Sequence, residues 1–309
     1  MTPELARLLI GLVALLTVGT AASLVLRRVV TSPDGVATVA DINVRMRSWW
    51  AMAAAFAIAT LTGGVGSIVL FSLISVLALR EFVTLVHSSR ADHRTLVAAF
   101  FIFTPLQYLL VGFGWYGFFA ILVPVYVFVL VPTSMVIMGD TERFLERAAT
   151  IQWGLMVCVY CVSHVPALLL LDVDWDQPNA LLVFYLVLVV QLSDVLQYIW
   201  GKLLGRRRIA PRVSPNKTWA GFVGGVLSAT AVGTALWWAT PFSPAAAAGM
   251  SLVICLAGFA GGLTMAAVKR DRGVKDYGSL LPGHGGVLDR IDSLCFAAPI
   301  FFHLTRFFY

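Results

Sequence analysis

Residues 179–200 read NALLVFYLVLVVQLSDVLQYIW, and residues 201–218 continue as GKLLGRRRIAPRVSPNKT. The first stretch is long and apolar enough to cross the roughly 30 Å hydrocarbon layer of a membrane as a helix. The second stretch holds six cations and no acidic residue, which is typical of a loop at a membrane surface. Together they predict a membrane-spanning helix followed by a strongly basic loop.

Apolar segments of this kind recur throughout the chain. Of its 309 residues, 59% are hydrophobic and only 12% are charged, and the mean hydropathy is +0.87. A soluble domain of this length would need more charge to cover its surface. The division at Gly63-Gly64 is weak, so nine spans is the alternative to ten. We therefore predict an all-α, polytopic integral membrane protein with ten spans, at 6–26, 49–63, 65–85, 95–113, 116–138, 149–171, 179–200, 219–240, 245–267 and 291–309.

The distribution of cations predicts how the chain is oriented. With the N-terminus outside, every lysine and arginine except Arg7 and Arg306 falls in an inside segment. The loop at 172–176 has three aspartates and no cation, and it falls outside. Because cytoplasmic loops are enriched in lysine and arginine, we expect a multi-pass cell-membrane protein whose motif loops face the cytoplasm. The asymmetry also favours ten spans, because the loss of one span would move every later loop to the other side of the membrane.

Two simpler features exclude other classes of protein. The double arginine Arg27-Arg28 follows the first apolar run instead of preceding it, which indicates an uncleaved anchor and not a signal peptide. The four cysteines lie in apolar stretches, so we expect buried thiols and no disulfide framework. We divide the chain into N-terminal transmembrane helices, 1–190, and a C-terminal transmembrane region, 191–309, that carries the motifs.

A charged stretch near the C-terminus carries most of the candidate chemistry. Residues 269–276 read KRDRGVKD, and residues 281–292 read LPGHGGVLDRID. The cations can neutralise a polyphosphate, and the glycines allow the backbone to approach an anion closely. Asp289 and Asp292 are three residues apart, so a new helix would direct both towards a divalent ion. The alternative is a set of solvated charges beside the membrane.

The basic loop at 201–218 offers a second anion site. Pro215 predicts a turn that gathers the polar groups of Ser214, Asn216 and Lys217 beside the next helix. The amides and positive dipole of a helix N-terminus favour phosphate, and Lys217 adds a point charge. For residues 206–208 the alternative is contact with anionic lipid headgroups.

The span before this loop carries a polar stripe. Gln191, Asp194 and Gln197 recur at helical spacing. A carboxylate within a membrane helix is costly and usually faces a cavity or a partner, so Asp194 predicts a polar pocket that opens towards the basic loops. The alternative is a structural hydrogen bond between helices.

These residues resemble the motifs of the phosphatidate cytidylyltransferase (CDP-diacylglycerol synthase) family. The resemblance is specific over about 190–309 and concerns hydropathy alone before that, although residues 45–49 loosely match an N-terminal feature of one branch. It implies transfer of a cytidylyl group from CTP to phosphatidate, giving CDP-diacylglycerol and pyrophosphate in phospholipid biosynthesis. The matching segments are Lys269-Arg270, Lys275-Asp276, Gly283-His284-Gly285-Gly286, Asp289-Arg290-Ile291-Asp292 and Ser214-Pro215-Asn216-Lys217-Thr218-Trp219.

The resemblance also implies a role for each matching residue. Mg²⁺ would be held by Asp289 with support from Asp292. The catalytic set would be Asp289, Lys217, Lys269 and Arg270. The substrate-binding set would be Ser214, Asn216, Lys275, Asp276, His284, Arg290 and Asp194. The expected partners are CTP, phosphatidate or a related lipid phosphate, and membrane lipids, with no nucleic acid; an assisting monovalent cation and a homodimer stay open.

Three positions depart from the family pattern. Ala220 stands where the family has Glu, Gly262 where it has Asp, and Ala266 where it has Ser. The missing Asp at 262 matters most, because that residue is a metal ligand in the family. A weakened or inactive homologue that binds nucleotide or anionic lipid is therefore the alternative function. A transporter would need an inverted repeat, and the sequence shows none.

Overall fold

Ten helices and one small hairpin make up the described part of the chain. The computed structural model describes residues 2–29, 31, 33–85, 92–281, 283 and 285–309. The helices are α1 (Pro3–Val29), α2 (Pro33–Leu61), α3 (Gly63–Thr84), α4 (His93–Gly112), α5 (Tyr116–Ile137), α6 (Phe144–Leu170), α7 (Ala180–Leu204), α8 (Trp219–Ala235), α9 (Pro244–Asp271) and α10 (Leu288–Phe308).

This architecture confirms an all-α, polytopic membrane protein. Eight of the ten helices are long and apolar enough to cross a membrane, α2 and α8 being the other two. The 17 residues of α8 are fewer than the roughly 20 that a full span needs, and the first half of α2 carries Arg45 and Arg47. The count of ten spans therefore stays a prediction. The division at Gly63 is real, because α2 ends at Leu61 and Gly63 has a φ of 78°.

The exposed faces of the helices are apolar, as expected when the surrounding solvent is lipid. Large hydrophobic side chains such as Val65, Phe101 and Ile137 are exposed. A continuous core, with Leu79 and Tyr185 among its members, packs α3, α6, α7, α9 and α10 together. Three of the four cysteine thiols are buried and Cys161 is half-buried, in agreement with the expected burial of these side chains.

The basic loop folds as a β-hairpin, which corrects the predicted turn at Pro215. Strand β1 (Arg208–Ala210) pairs antiparallel with β2 (Ser214–Thr218), and Pro215 lies inside the second strand. The turn falls at 211–213, where the amide of Val213 donates to the carbonyl of Ala210 at 3.1 Å. Pro215 is tolerated because every strand of a two-stranded sheet is an edge strand.

Close packing of α7 against α8 fixes where this hairpin lies. A Cβ at Gly225 would stand 2.5 Å from the backbone nitrogen of Gln197, and one at Gly221 would stand 2.6 Å from the Gln197 carbonyl oxygen. Glycine on α8 therefore lets the two helices approach backbone to backbone. Because β2 leads directly into α8, this contact holds the hairpin against the polar end of α7.

Candidate active site

Five charged side chains meet at one end of the bundle. Lys217, at the end of β2, interacts electrostatically with Asp194 on α7, Asp292 on α10 and Lys269 on α9. Lys269 in turn pairs with Asp289 at the start of α10, with 2.7 Å between Nζ and Oδ1. Residues from three helices and the hairpin, spread over more than 90 positions of the sequence, thus form one cluster.

Asp289 is the most constrained member of this cluster. Its side chain is 2% exposed. Oδ1 accepts a hydrogen bond from Lys269, and Oδ2 accepts from the amides of Tyr277 and Gly286 at 2.8 and 2.9 Å. Since a carboxylate has about four lone-pair sites, three donors leave Asp289 room for one more partner.

Asp292 and Lys217 both lie close to Gly262. A Cβ at Gly262 would stand 3.1 Å from Lys217 Nζ, 3.1 Å from Ser293 Oγ and 4.0 Å from Asp292 Oδ1. Asp292 Oδ1 also accepts from the amide of Ser293 at 2.7 Å, and Asp194 interacts electrostatically with Asp292 and with Lys217. The departure at 262 therefore faces directly into the cluster.

Burial and aromatic contact shape the charge of Lys217. Removal from water lowers the pKa of Lys217, and the nearby carboxylates of Asp194 and Asp292 oppose that shift. Its Nζ lies 4.6 Å from the centre of the Phe259 ring, a cation–π distance. The ammonium is therefore held between two carboxylates and a ring.

The glycine loop contacts anions that belong to the protein itself. The Gly286 amide donates to Asp289, and a Cβ at Gly285 would stand 2.9 Å from Asp289 Oδ2. The expected close approach of backbone to an anion is present, with a carboxylate as the anion. At α8 the amides of Trp219 and Gly221 are likewise taken, by the Arg207 carbonyl and by Thr218 Oγ1. Phosphates would thus meet side-chain cations and not these amides.

Glu81 is a site residue that the motifs did not predict. It lies near the end of α3, and its Oε1 and Oε2 accept from the amides of Val287 and Leu288, both at 2.9 Å. The only signal in the sequence is an acidic residue at the inside end of a predicted span. More than 200 positions separate it from its partners, so no local pattern could have identified the contact.

Tyr277 ties the loop at 272–287 to α9 below the cluster. Its hydroxyl donates to the carbonyl of Met265 at 2.8 Å, and Lys269 Nζ lies 5.3 Å from its ring centre. Burial raises the pKa of Tyr277, so the hydroxyl stays protonated as a donor. The side chain thereby holds the segment whose amide supports Asp289.

The remaining predicted residues lie around the cluster or join its loops. Arg270 donates to the carbonyls of Val213 and Val274 at 3.2 and 3.1 Å, so it links the hairpin to the following loop. Lys275, Asp276 and Asn216 are exposed, and Ser214 is half-buried at the start of β2. His284 lies outside the described residues.

Arg290 presents an unsatisfied donor. Its Nε is buried and has no hydrogen-bond partner in the described part of the chain. Its backbone carbonyl accepts from Gln191 Nε2 at 3.3 Å, and Gln197 donates to Ser193 within α7. The polar stripe of α7 is thus partly structural, while Asp194 faces the cluster. A buried unpaired guanidinium nitrogen is costly, and an anion would relieve that cost.

The oxygen donors present suit Mg²⁺. Among the described residues no group of three or more His, Cys, Asp or Glu side chains forms a ready metal site. Mg²⁺ usually takes only one or two protein carboxylates, together with water and phosphate oxygens. Asp289 and Asp292 interact electrostatically within the first turns of α10 and could supply one or two such ligands.

Comparison with known proteins identifies the family. A profile of the cytidylyltransferase family matches residues 43–308. This chain belongs to the cytidylyltransferase family. It is 40% identical over 273 residues to the uncharacterized protein YnbB of Escherichia coli (strain K12), covering 86% of this chain and 88% of that protein. The predicted membership is confirmed, and this relative leaves the substrate open.

Two named relatives each match somewhat less than half of this cytidylyltransferase-family chain. The phosphatidate cytidylyltransferase of Staphylococcus aureus (strain COL) is 35% identical over 145 residues, covering 46% of this chain and 56% of the relative. That of Bacillus subtilis (strain 168) is 38% identical over 135 residues, covering 43% and 50%. The matched segments therefore span about half the length of these two enzymes.

Proposed function

We propose that this protein transfers the cytidylyl group of CTP to phosphatidate or a related lipid phosphate and releases pyrophosphate. The observation that carries the proposal is the convergence of Lys217, Lys269, Asp289, Asp292 and Asp194 at one end of an apolar helical bundle. Family membership supports the use of CTP, and the names of two partial relatives support the lipid substrate. The proposed localisation is the cell membrane, with the cluster facing the cytoplasm.

The proposed reaction joins two anions and needs no covalent enzyme intermediate. A phosphate oxygen of the lipid forms a bond to the α-phosphorus of CTP. The bond from that phosphorus to the oxygen bridging the β-phosphorus breaks, and its electron pair leaves with pyrophosphate. Negative charge accumulates on both sides of the reacting phosphorus, so positioned cations lower the barrier most.

The chain supplies these cations from two directions. Lys217 enters from the hairpin and Lys269 from the end of α9. Lys269 would turn from Asp289 towards the triphosphate, and Lys217 would contact the lipid phosphate near Asp194. Arg290 would complete the set, because an anion would satisfy its buried Nε. Arg270 would act by holding the loops together.

We further propose that Asp289 and Asp292 hold Mg²⁺, with Asp194 in place of the carboxylate that the family has at 262. When bound, the ion would neutralise charge on the triphosphate and on the departing pyrophosphate. Asp289 would contribute its remaining lone pair, and Asp292 would reach the ion from the next turn of α10. Ser214, Asn216, Lys275, Asp276 and His284 would orient the nucleotide.

Turnover by the full chain tests this function. Protein purified in detergent, given CTP, phosphatidate and Mg²⁺, should form CDP-diacylglycerol and pyrophosphate. Asp289→Asn should lower kcat by roughly 10²-fold or more, because a single electrostatic contact in an active site is often worth that much. Asp174→Asn is the matched control, since Asp174 is an exposed carboxylate in a distant loop. Equal inactivity of wild type and Asp289→Asn with several lipid phosphates would refute the proposal.

A second candidate function follows from Gly262. The cluster lacks a side chain at the position that faces Lys217, Ser293 and Asp292. A homologue weakened at that point would bind CTP or an anionic lipid and turn neither over. Equilibrium binding of CTP by a protein that makes no CDP-diacylglycerol, with binding lost in Lys217→Ala, is the result that would favour this candidate.

A further inference from the structure

We propose that Glu81 is a positioning residue that holds Asp289, and through it the metal-binding end of α10, in working order. Nothing in the motifs assigns Glu81 a role. The inference rests on the proposed function for its catalytic consequence, and on contacts of the described residues for its physical basis.

Glu81 caps the helix that carries both metal-site aspartates. Its two carboxylate oxygens accept from the amides of Val287 and Leu288, each at 2.9 Å. Helix α10 begins at Leu288, so these are amides that have no partner within the helix. A carboxylate placed there also interacts favourably with the helix dipole. The cap therefore fixes the first turn, in which Asp289 is the second residue.

The surrounding loop is built to admit this carboxylate. A Cβ at Gly278 would stand 2.6 Å from Glu81 Oε1, and a Cβ at Gly286 would overlap the Glu81 carboxylate. Both glycines belong to the loop between α9 and α10, and neither contact could form around a larger residue. The Glu81 carboxylate thus occupies space that side chains at 278 and 286 would otherwise fill.

Glu81 and Asp289 divide three consecutive amides between them. The Gly286 amide donates to Asp289, and the next two amides donate to Glu81. Without Glu81, two donors lose their acceptor, and the turn that presents the Gly286 amide to Asp289 loses its anchor. Asp289 would then lose its orientation, although Glu81 itself touches neither substrate nor metal. Partners that orient metal ligands typically contribute about 10–100-fold to metal affinity.

The same cap excludes one alternative placement of the nucleotide. Helix N-termini are common phosphate sites, but the first amides of α10 already serve two protein carboxylates. Glu81 adds a negative charge there, which repels a triphosphate. Lys217 and Lys269, whose side-chain charges belong to the cluster, would then be the groups that bind the phosphates.

Metal binding by the purified full chain tests the inference, with Mn²⁺ as a paramagnetic probe of the Mg²⁺ site. Glu81→Ala should weaken Mn²⁺ binding by about 10-fold or more. Glu81→Gln should weaken it less than Glu81→Ala does, because its single amide oxygen keeps an acceptor for one of the two amides. Glu142→Ala removes an exposed glutamate elsewhere and should change nothing. In the turnover assay, the half-saturating Mg²⁺ concentration should shift in the same order.

Three results would overturn the inference. If folded Glu81→Ala protein binds Mn²⁺ with wild-type affinity, Glu81 does not position the metal site. A lower yield of that variant would then reflect a role in folding alone. Equal losses of Mn²⁺ affinity in Glu81→Gln and Glu81→Ala would show that the effect does not depend on the hydrogen bonds of Glu81 to the α10 amides. A wild-type protein that binds no Mn²⁺ would remove the site that Glu81 is said to position.

Two further controls keep the outcome clear. If Glu81→Ala does not fold, Gly286→Ala, which displaces the same carboxylate, should weaken Mn²⁺ binding; wild-type affinity there would count against the inference. Wild-type protein that binds Mn²⁺ but never turns over CTP would refute the proposed function, while the Mn²⁺ titrations would still decide the role of Glu81.

Discussion

Gly262 leaves space that the Lys217 ammonium fills at the centre of the cluster. The side chain that the family places there would lie about 3 Å from Lys217 Nζ and from Ser293 Oγ. In its absence the carboxylates of Asp194 and Asp292 interact with Lys217 and with each other. The cluster therefore holds one carboxylate fewer than the family pattern supplies. Because carboxylates bind the metal ion, we expect metal affinity to be the property most affected.

Restoring an acid at 262 should strengthen metal binding. Gly262→Asp would add a further carboxylate beside Asp292, and the flexible end of Lys217 can move to admit it. We expect the half-saturating Mg²⁺ concentration to fall several-fold in turnover assays, since Mg²⁺ affinity follows the number and charge of its oxygen ligands. Gly262→Ala adds the same Cβ without the charge and should not lower that concentration. Identical behaviour of the two variants would contradict the charge-based account.

The depressed pKa of Lys217 should appear in the pH dependence of catalysis. Burial lowers the pKa of the free-enzyme ammonium below the usual 10.5, so its charge is lost as pH rises through that lowered value. We expect kcat/KM, which reports the free enzyme, to fall on the alkaline side before an ordinary lysine would titrate. Lys217→Arg keeps its charge to much higher pH and should move that limb upward. If the alkaline fall of kcat/KM occurs at the same pH in Lys217→Arg and in wild type, the group that titrates is not Lys217.

At the scale of elements, the glycine face of α8 sets the separation between Asp194 and Lys217. Gly225 lies against the backbone of Gln197, with 2.6 Å between its added Cβ and the Gln197 Cα. Backbone cannot give way as a side-chain end can, so Gly225→Ala should force the helices apart. Overpacking of this kind costs roughly 1–3 kcal/mol, and we expect a lower unfolding temperature together with reduced turnover.

Gly249→Ala is the matched control for that prediction. Gly249 also lies within a helix, α9, and a Cβ there would meet nothing within 4 Å. It should be neutral or slightly stabilising, because alanine has the higher helix propensity. Thermal unfolding in one detergent compares the two variants. Equal effects would show that helix propensity, and not the α7–α8 contact, governs the response.

Hydropathy predicted the helices well because a membrane leaves a spanning chain few choices. Backbone groups in hydrocarbon must bond within their own segment, so a long apolar run such as 179–200 is almost committed to a helix. The hairpin gives no such signal. Its strand Ser214–Thr218 is polar and partly exposed, contains a proline and buries no alternating face. Its pairing depends on the α7–α8 contact beside it, which is tertiary.

The site was predictable as far as local motifs reach. Lys217 of the hairpin lies in one cluster with Lys269, Asp289 and Asp292, whereas Lys275 and Asp276 are exposed. Two features required the fold. Asp289 is bound by three protein donors, and Glu81 approaches from α3, a helix outside the motif region. Contacts between positions so far apart leave no periodic or spacing signal in a single sequence.

At the scale of the whole molecule, the cations predict that the cluster faces the cytoplasm. A cysteine introduced at Ser279, in the exposed loop between α9 and α10, should react with a membrane-impermeant maleimide in inside-out vesicles and not in intact cells. Asp174→Cys, in the loop between α6 and α7, should show the reverse. The native protein is the control, because its own thiols are buried or partly buried within helices. Labelling of both positions from one side would require an even number of spans between them, so one of α7, α8 and α9 would lie outside the hydrocarbon layer. Labelling of Ser279→Cys from outside alone, with Asp174→Cys labelled from inside alone, would invert the molecule.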